Sequence, residues 1–238
     1  MTPDPANRAD QSLLERLRVE LGAAGDPVRA AGQRDYMKST MPFQGLSAPE
    51  LKALLRPYLA AYSPASRAAW DATVRELWDA ATHREERYAA LALARHRSAR
   101  AWQDVGTLDL YRHLVVTGAW WDLVDETASH LVGGVLADHR ADATPVISAW
   151  ARDDDLWLRR TAVLAQLRHK RDTDLALLAD AVEANLDDRS FWLRKAIGWA
   201  LRDQARTDPD WVRERVGAWG DRLSPLSRRE ALKHLGAR

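Results

Sequence analysis

Leu156-Trp157-Leu158-Arg159-Arg160-Thr161-Ala162 returns 35 residues later as Phe191-Trp192-Leu193-Arg194-Lys195-Ala196-Ile197. A second shift of 35, taken backwards, carries Arg160 onto Asp125, and Tyr88 in Arg87-Tyr88-Ala89-Ala90 falls close to the same register one repeat earlier. A period of this length fits one pair of antiparallel helices, a unit that buries its apolar face only by stacking on the next. The reading is an all-α superhelical solenoid of HEAT-like repeats, whose corresponding helices line a concave face. Asp125, Arg160 and Lys195 are expected in a row on that face.

The rest of the chain agrees with this reading. Apolar residues recur at helical spacing almost throughout, and β-branched runs with period-2 alternation hardly appear. Helices are expected near 8–23, 25–39, 47–60, 64–80, 84–98, 107–117, 120–138, 142–150, 155–168, 174–186, 190–206, 208–218 and 225–235. Ser47-Ala48-Pro49-Glu50, Ser63-Pro64 and Ser224-Pro225 read as helix starts, each with a capping hydroxyl before or near a proline in the first turn. Gly133-Gly134, inside a helical stretch, reads as a helix end or a close-packing site. Asp153-Asp154-Asp155 reads as an acidic loop and helix N-terminus, where negative charge is favourable. Residues 1–8, with Pro3 and Pro5, are expected to form a flexible tail, and 9–238 a single domain.

Composition narrows the functional classes. With no cysteine among 238 residues, disulfides, thiolate metal sites and thiol catalysis are excluded. The seven histidines include no His-x-x-x-His pair and no acidic cluster at ligand spacing, so no metal is expected. Rossmann, P-loop and Gly-x-Ser-x-Gly fingerprints are absent, and no cofactor is implied. No apolar run approaches the roughly 20 residues of a membrane span, and the N-terminus has no signal-peptide pattern. A cytoplasmic protein is expected. Net charge is +1, but 152–238 holds 18 Lys and Arg against 15 Asp and Glu, leaving 17 against 19 elsewhere. Any anion-binding surface is therefore local.

Two helical faces carry the chemistry. In Trp120-Trp121-Asp122-Leu123-Val124-Asp125, Trp121 and Asp125 lie one turn apart on the same side. In the run from Phe191 to Arg202, Lys195, Trp199 and Arg202 share a face. Brought together, they make a cleft with aromatic walls, one carboxylate and a cationic rim, suited to a substrate that joins phosphates to a centre of positive charge. Alkylated DNA is such a substrate. Taken singly, each residue has an ordinary reading: helical tryptophans are usually core, and Asp125 could simply pair with Arg160.

With these residues goes a resemblance. Tyr36-Met37-Lys38, Pro42-Phe43-Gln44-Gly45, Trp120 to Asp125, Leu156 to Arg160, Ala196-Ile197-Gly198-Trp199 and Leu223 to Ala231 follow the order and spacing of the AlkD-like DNA alkylation repair family. Those proteins are HEAT-like-repeat DNA glycosylases. The resemblance implies a monofunctional enzyme that hydrolyses the N-glycosidic bond of cationic N3- and N7-alkylpurines in duplex DNA, without flipping the base into a closed pocket. It implies catalytic roles for Trp121, Asp125 and Trp199, with Tyr36 and Arg160 nearby, and DNA contacts from Tyr36, Arg160, Arg168, Phe191, Trp192, Lys195 and Arg202. Arg168 stands where a lysine is familiar in the family and Trp192 where a second Phe is, which bears on lesion range and fine positioning. A monomer, associated with the nucleoid when on DNA, is expected. The rival from another class is a catalytically silent HEAT-like scaffold that binds DNA or protein.

Overall fold

A computed structural model describes residues 7–235. All regular structure among them is helical: α1 (Gln11–Ala23), α2 (Pro27–Met37), α3 (Ala48–Ala61), α4 (Arg67–Asp79), α5 (Arg84–Ala94), α6 (Leu108–Gly118), α7 (Trp121–Glu126), α8 (Gly133–Asp138), α9 (Arg140–Trp150), α10 (Leu156–Leu164), α11 (Leu175–Glu183), α12 (Phe191–Gln204), α13 (Pro209–Trp219) and α14 (Pro225–Ala231). Every helix expected from the sequence is present. The expected tail of 1–8 lies outside the described residues as far as position 6, while Asn7 accepts a hydrogen bond from the Ser66 hydroxyl.

Side-chain caps set most of the starts. Ser47 and Glu50 form a reciprocal capping box at α3, and Ser224 caps α14 with Pro225 in its first turn. Where Ser63-Pro64 reads as a start, the helix instead begins at Arg67. Ser66 captures the amide of Ala69 at 3.0 Å, and so becomes the N-cap. The stretch expected over 155–168 ends as α-helix at Leu164: the Leu167 and His169 amides bond three residues back, to the Leu164 and Gln166 carbonyls, Arg168 turns to φ +92°, and the Gln166 side chain bonds both backbone groups of Asp174, at 2.7 and 2.9 Å.

The chain divides into two compact units, one ending at Trp102 and one beginning at Gln103. In the first, α1 packs on α3, α4 and α5, around Leu14, Leu17, Leu21, Trp70 and Trp78. The buried Glu85 carboxylate accepts the backbone N–H groups of Gln44, Gly45 and Leu46 at 2.8, 2.9 and 3.2 Å. The Pro42-Phe43-Gln44-Gly45 motif is thus a loop clamped onto α5 by one carboxylate, an arrangement that satisfies three donors at once.

In the second unit the 35-residue period becomes geometry. Helix α10 packs on α7 and α12, and α12 on α14, with α9, α11 and α13 as the alternate members of the pairs. Contacts between neighbouring repeats reuse the period: Asp125 with Arg160, Lys195 with Glu230 and the Arg168 amide with Asp203 are each 35 residues apart. Helix α7 runs into α8 through one π-helical stretch, Thr127–Val132. At its end, a side chain on Gly133 would bring a Cβ to 2.4 Å from the carbonyl oxygen of Ala165. Gly133 is therefore a close-packing site between repeats, whereas a Cβ on Gly134 would meet open space.

Candidate active site

Asp125 lies in the last turn of α7, immediately before the π-helical stretch, where single-turn π distortions often accompany functional groups. Its two carboxylate oxygens each accept a 2.7 Å hydrogen bond from Arg160, one from Nε and one from Nη2. The third nitrogen, Nη1, donates to the backbone carbonyl of Trp192 in the first turn of α12. Arg160 is 1% exposed and Asp125 19%, so the carboxylate is the end of this pair that meets solvent. A carboxylate has about four lone-pair directions, and the guanidinium fork uses two, which leaves two for water or substrate.

Burial pushes the Asp125 carboxyl above its ordinary value, the Arg160 hydrogen bonds and charge oppose that rise, and the neighbouring charge of Asp122 adds to it. The net direction is upward. A carboxylate held this way is more basic than an exposed aspartate, an advantage in taking a proton from water.

Trp199, on α12, joins the same cluster. Its ring centroid is 5.7 Å from the Arg160 guanidinium carbon and 5.7 Å from the Lys195 ammonium, both within cation–π range. Trp121 opens α7 one turn before Asp125 and is half-buried. Beside this cluster, Trp120, Trp157 and Trp192 pack ring against ring at 5.3 to 6.1 Å. Phe191 stands on the edge of Trp192 at 5.2 Å and is 55% exposed. Trp157 and Trp192 are one 35-residue step apart, and with Trp120 and Phe191 they build an aromatic wall with one exposed ring, Phe191.

The cationic residues occupy distinct settings. Arg160, expected among the DNA contacts, is buried with all three nitrogens committed to protein acceptors. Lys195 and Arg202 each reach one oxygen of Glu230 at 2.8 Å, and these contacts, with the Lys195 hydrogen bond foremost, hold the Glu230 carboxyl below its usual range. Arg168 is exposed, adopts φ +92°, and lies 3.4 Å from the His130 ring nitrogen. Tyr36 belongs to the first unit, where it is 79% exposed at the rim of an apolar pocket of about 500 Å³ lined also by Met37, Phe43, Leu51 and Leu55.

Glu230 is the site residue that sequence reasoning missed. The signal was present, since one further step of 35 from Lys195 lands on it. Among the described residues no group of three or more His, Asp or Glu is placed to hold a metal ion, and no helix is long and apolar enough to cross a membrane.

The described residues thus form an all-helical repeat protein in which a guanidinium-held carboxylate lies beside indole rings. The model of the DNA alkylation repair enzyme family matches residues 17–235. A solved structure described as a predicted DNA alkylation repair enzyme from Enterococcus faecalis superposes with a TM-score of 0.80 at 31% identity, over 90% of this chain and 98% of that one. A search of curated proteins gives no match. The chain belongs to the DNA alkylation repair enzyme family, and its fold is that family's helical-repeat solenoid.

Proposed function

We propose that this member of the family is a monofunctional DNA glycosylase that removes cationic N3- and N7-alkylpurines from duplex DNA. The observation that carries the reading is the Asp125 carboxylate, fixed by a buried arginine, turned to solvent, and set on one helix face with Trp121. An alkylated purine already bears a positive charge. When its N-glycosidic bond breaks, the bonding pair neutralises the base, and no acid is needed to protonate the leaving group. The deoxyribose is left as an oxocarbenium-like cation, which the ionised Asp125 opposes at close range. The same carboxylate accepts a proton from the water that adds to C1′.

A preorganised electrostatic partner of this kind is typically worth about 3–4 kcal/mol, whereas a cation–π contact with Trp121 or Trp199 adds roughly 0.5–2 kcal/mol. Asp125 therefore carries most of the rate and the indoles set geometry. Arg160 is assigned to holding the carboxylate, and Arg168, Phe191, Trp192 and Tyr36 to the DNA, with residues 9–238 acting as one domain. Purified protein incubated with methylated duplex DNA and a chelator is expected to release 7-methylguanine and 3-methyladenine and to leave the abasic strand uncut. Loss of release on chelation, restored by a divalent ion, would contradict the reading, as would strand cleavage through a borohydride-trappable adduct.

A further inference from the structure

Trp199 has two cations within 5.7 Å of its ring centroid, Arg160 and Lys195. Asp125 neutralises the first. The second is neutralised from the other side of the repeat: Glu230, whose side chain is 13% exposed, accepts from Lys195 at 2.8 Å and from Arg202 at 2.8 Å. The ladder 125, 160, 195, 230 therefore runs acid, base, base, acid along the corresponding helices of successive repeats, α7, α10, α12 and α14. Without its last member, an unopposed ammonium would stand against the indole assigned to a cationic sugar. Like charges at this range, in partly buried surroundings, repel strongly.

The backbone is arranged to bring Glu230 there. A side chain on Gly198 would put its Cβ 2.5 Å from the Cβ of Glu230 and 3.1 Å from the carbonyl oxygen of Ser227. The missing side chain next to Trp199 is what lets α14 seat against α12. Ser227 adds a 2.7 Å hydrogen bond to the Arg194 carbonyl. These contacts give a physical role to Gly198, beside Trp199 in Ala196-Ile197-Gly198-Trp199, and to the Leu223 to Ala231 motif, which the catalytic cluster leaves unused.

We propose that Glu230 is a positioning and charge-balancing residue that occupies Lys195 and Arg202, trading DNA affinity for a Trp199 face that tolerates positive charge. The proposal rests on the glycosylase reading. It makes affinity and chemistry move in opposite directions, which a merely structural role does not do.

The test is Glu230→Gln, with Glu230→Asp and the double variant Glu230→Gln, Lys195→Met beside it. Circular dichroism is used to compare folds. Glu230→Gln is expected to bind undamaged duplex DNA more tightly, by roughly threefold, with a salt dependence steeper by about one unit as freed cations take up phosphates. Single-turnover release of 7-methylguanine is expected to slow by about tenfold. Glu230→Asp keeps the charge and should recover part of the rate, and the double variant should recover most of it because the unopposed ammonium is gone. Unchanged affinity and rate in a folded Glu230→Gln would overturn the proposal, as would a joint loss of both that Lys195→Met fails to relieve. If the wild type released no alkylated base, the glycosylase reading would fall, while the affinity and salt slope of Glu230→Gln would still decide whether this carboxylate occupies the DNA-binding cations.

Discussion

Asp125 and Arg160, 35 residues apart in sequence, are joined by two parallel 2.7 Å hydrogen bonds with the arginine buried and the carboxylate facing out. The geometry makes an oriented dipole of the pair, its negative end toward solvent. It also couples three repeats, because the same guanidinium holds the carbonyl of Trp192 on a third helix. On the proposed reading, a group so committed acts on substrate through the carboxylate it holds.

Truncating a buried ion-pair partner leaves the other charge uncompensated, a loss of about 3–5 kcal/mol. Arg160→Ala is accordingly expected to lower unfolding stability by that order in urea titrations and to slow base release. Its DNA affinity should keep the wild-type salt dependence. Arg168→Ala, at an exposed position, is expected to do the reverse, leaving stability near wild type and reducing the salt slope by about 0.9. A lowered slope in a folded Arg160→Ala would instead make Arg160 a phosphate contact.

The raised Asp125 pKa predicts where activity fails in acid. An aspartate whose charged form is disfavoured by burial takes up its proton at higher pH than the unperturbed value of about 3.9. Single-turnover base release should therefore fall on an acid limb above that value, and Asp125→Asn should lack the limb altogether. Linkage has the corresponding sign: stability from this group is fully present below the unfolded pKa and is lost as pH rises through the raised folded one. An acid limb at the ordinary aspartate value would mean that the carboxyl is far better solvated than its surroundings imply.

Adjacent glycines provide an internal control on repeat packing. Gly133→Ala would force a Cβ to 2.4 Å from the Ala165 carbonyl oxygen, a backbone contact that cannot swing away. It should cost roughly 1–3 kcal/mol, as overpacked sites do. Gly134→Ala meets nothing and, in a helix, should be neutral or stabilising by up to about 1 kcal/mol. Thermal melts of the two variants check the pair. Equal shifts would mean that α8 and the end of α10 are not in close contact.

The repeat was legible because stacking places like residues on the same helix face every 35 positions, as Trp157, Leu158, Arg159 and Arg160 return in Trp192, Leu193, Arg194 and Lys195, and Asp125 falls in the register of Arg160 and Lys195. Two features resisted reading. The π-helical stretch after Asp125 leaves no mark in apolar periodicity over six residues. The end of α10 at Leu164 comes with i→i+3 bonds and a left-handed Arg168, a non-glycine residue whose positive φ no local propensity announces. The helix face shared by Lys195, Trp199 and Arg202 was readable, but the carboxylate that occupies its two cations comes from α14 and needed the period extended one step further. The pairing of Arg160 with Asp125 was readable, whereas the burial of Arg160 and its third bond, to the Trp192 carbonyl, were not.

The central claim is that an ionised Asp125 performs the chemistry, and its most direct test is single-turnover release of 7-methylguanine by Asp125→Asn at saturating enzyme. Asparagine keeps the size and one acceptor but removes the charge that opposes the sugar cation, so the folded variant should bind methylated duplex DNA and lose release by roughly 10²–10³-fold. Circular dichroism and a binding isotherm on the same preparation separate lost chemistry from lost fold or affinity. A folded, DNA-binding Asp125→Asn that releases base at the wild-type rate would contradict the account.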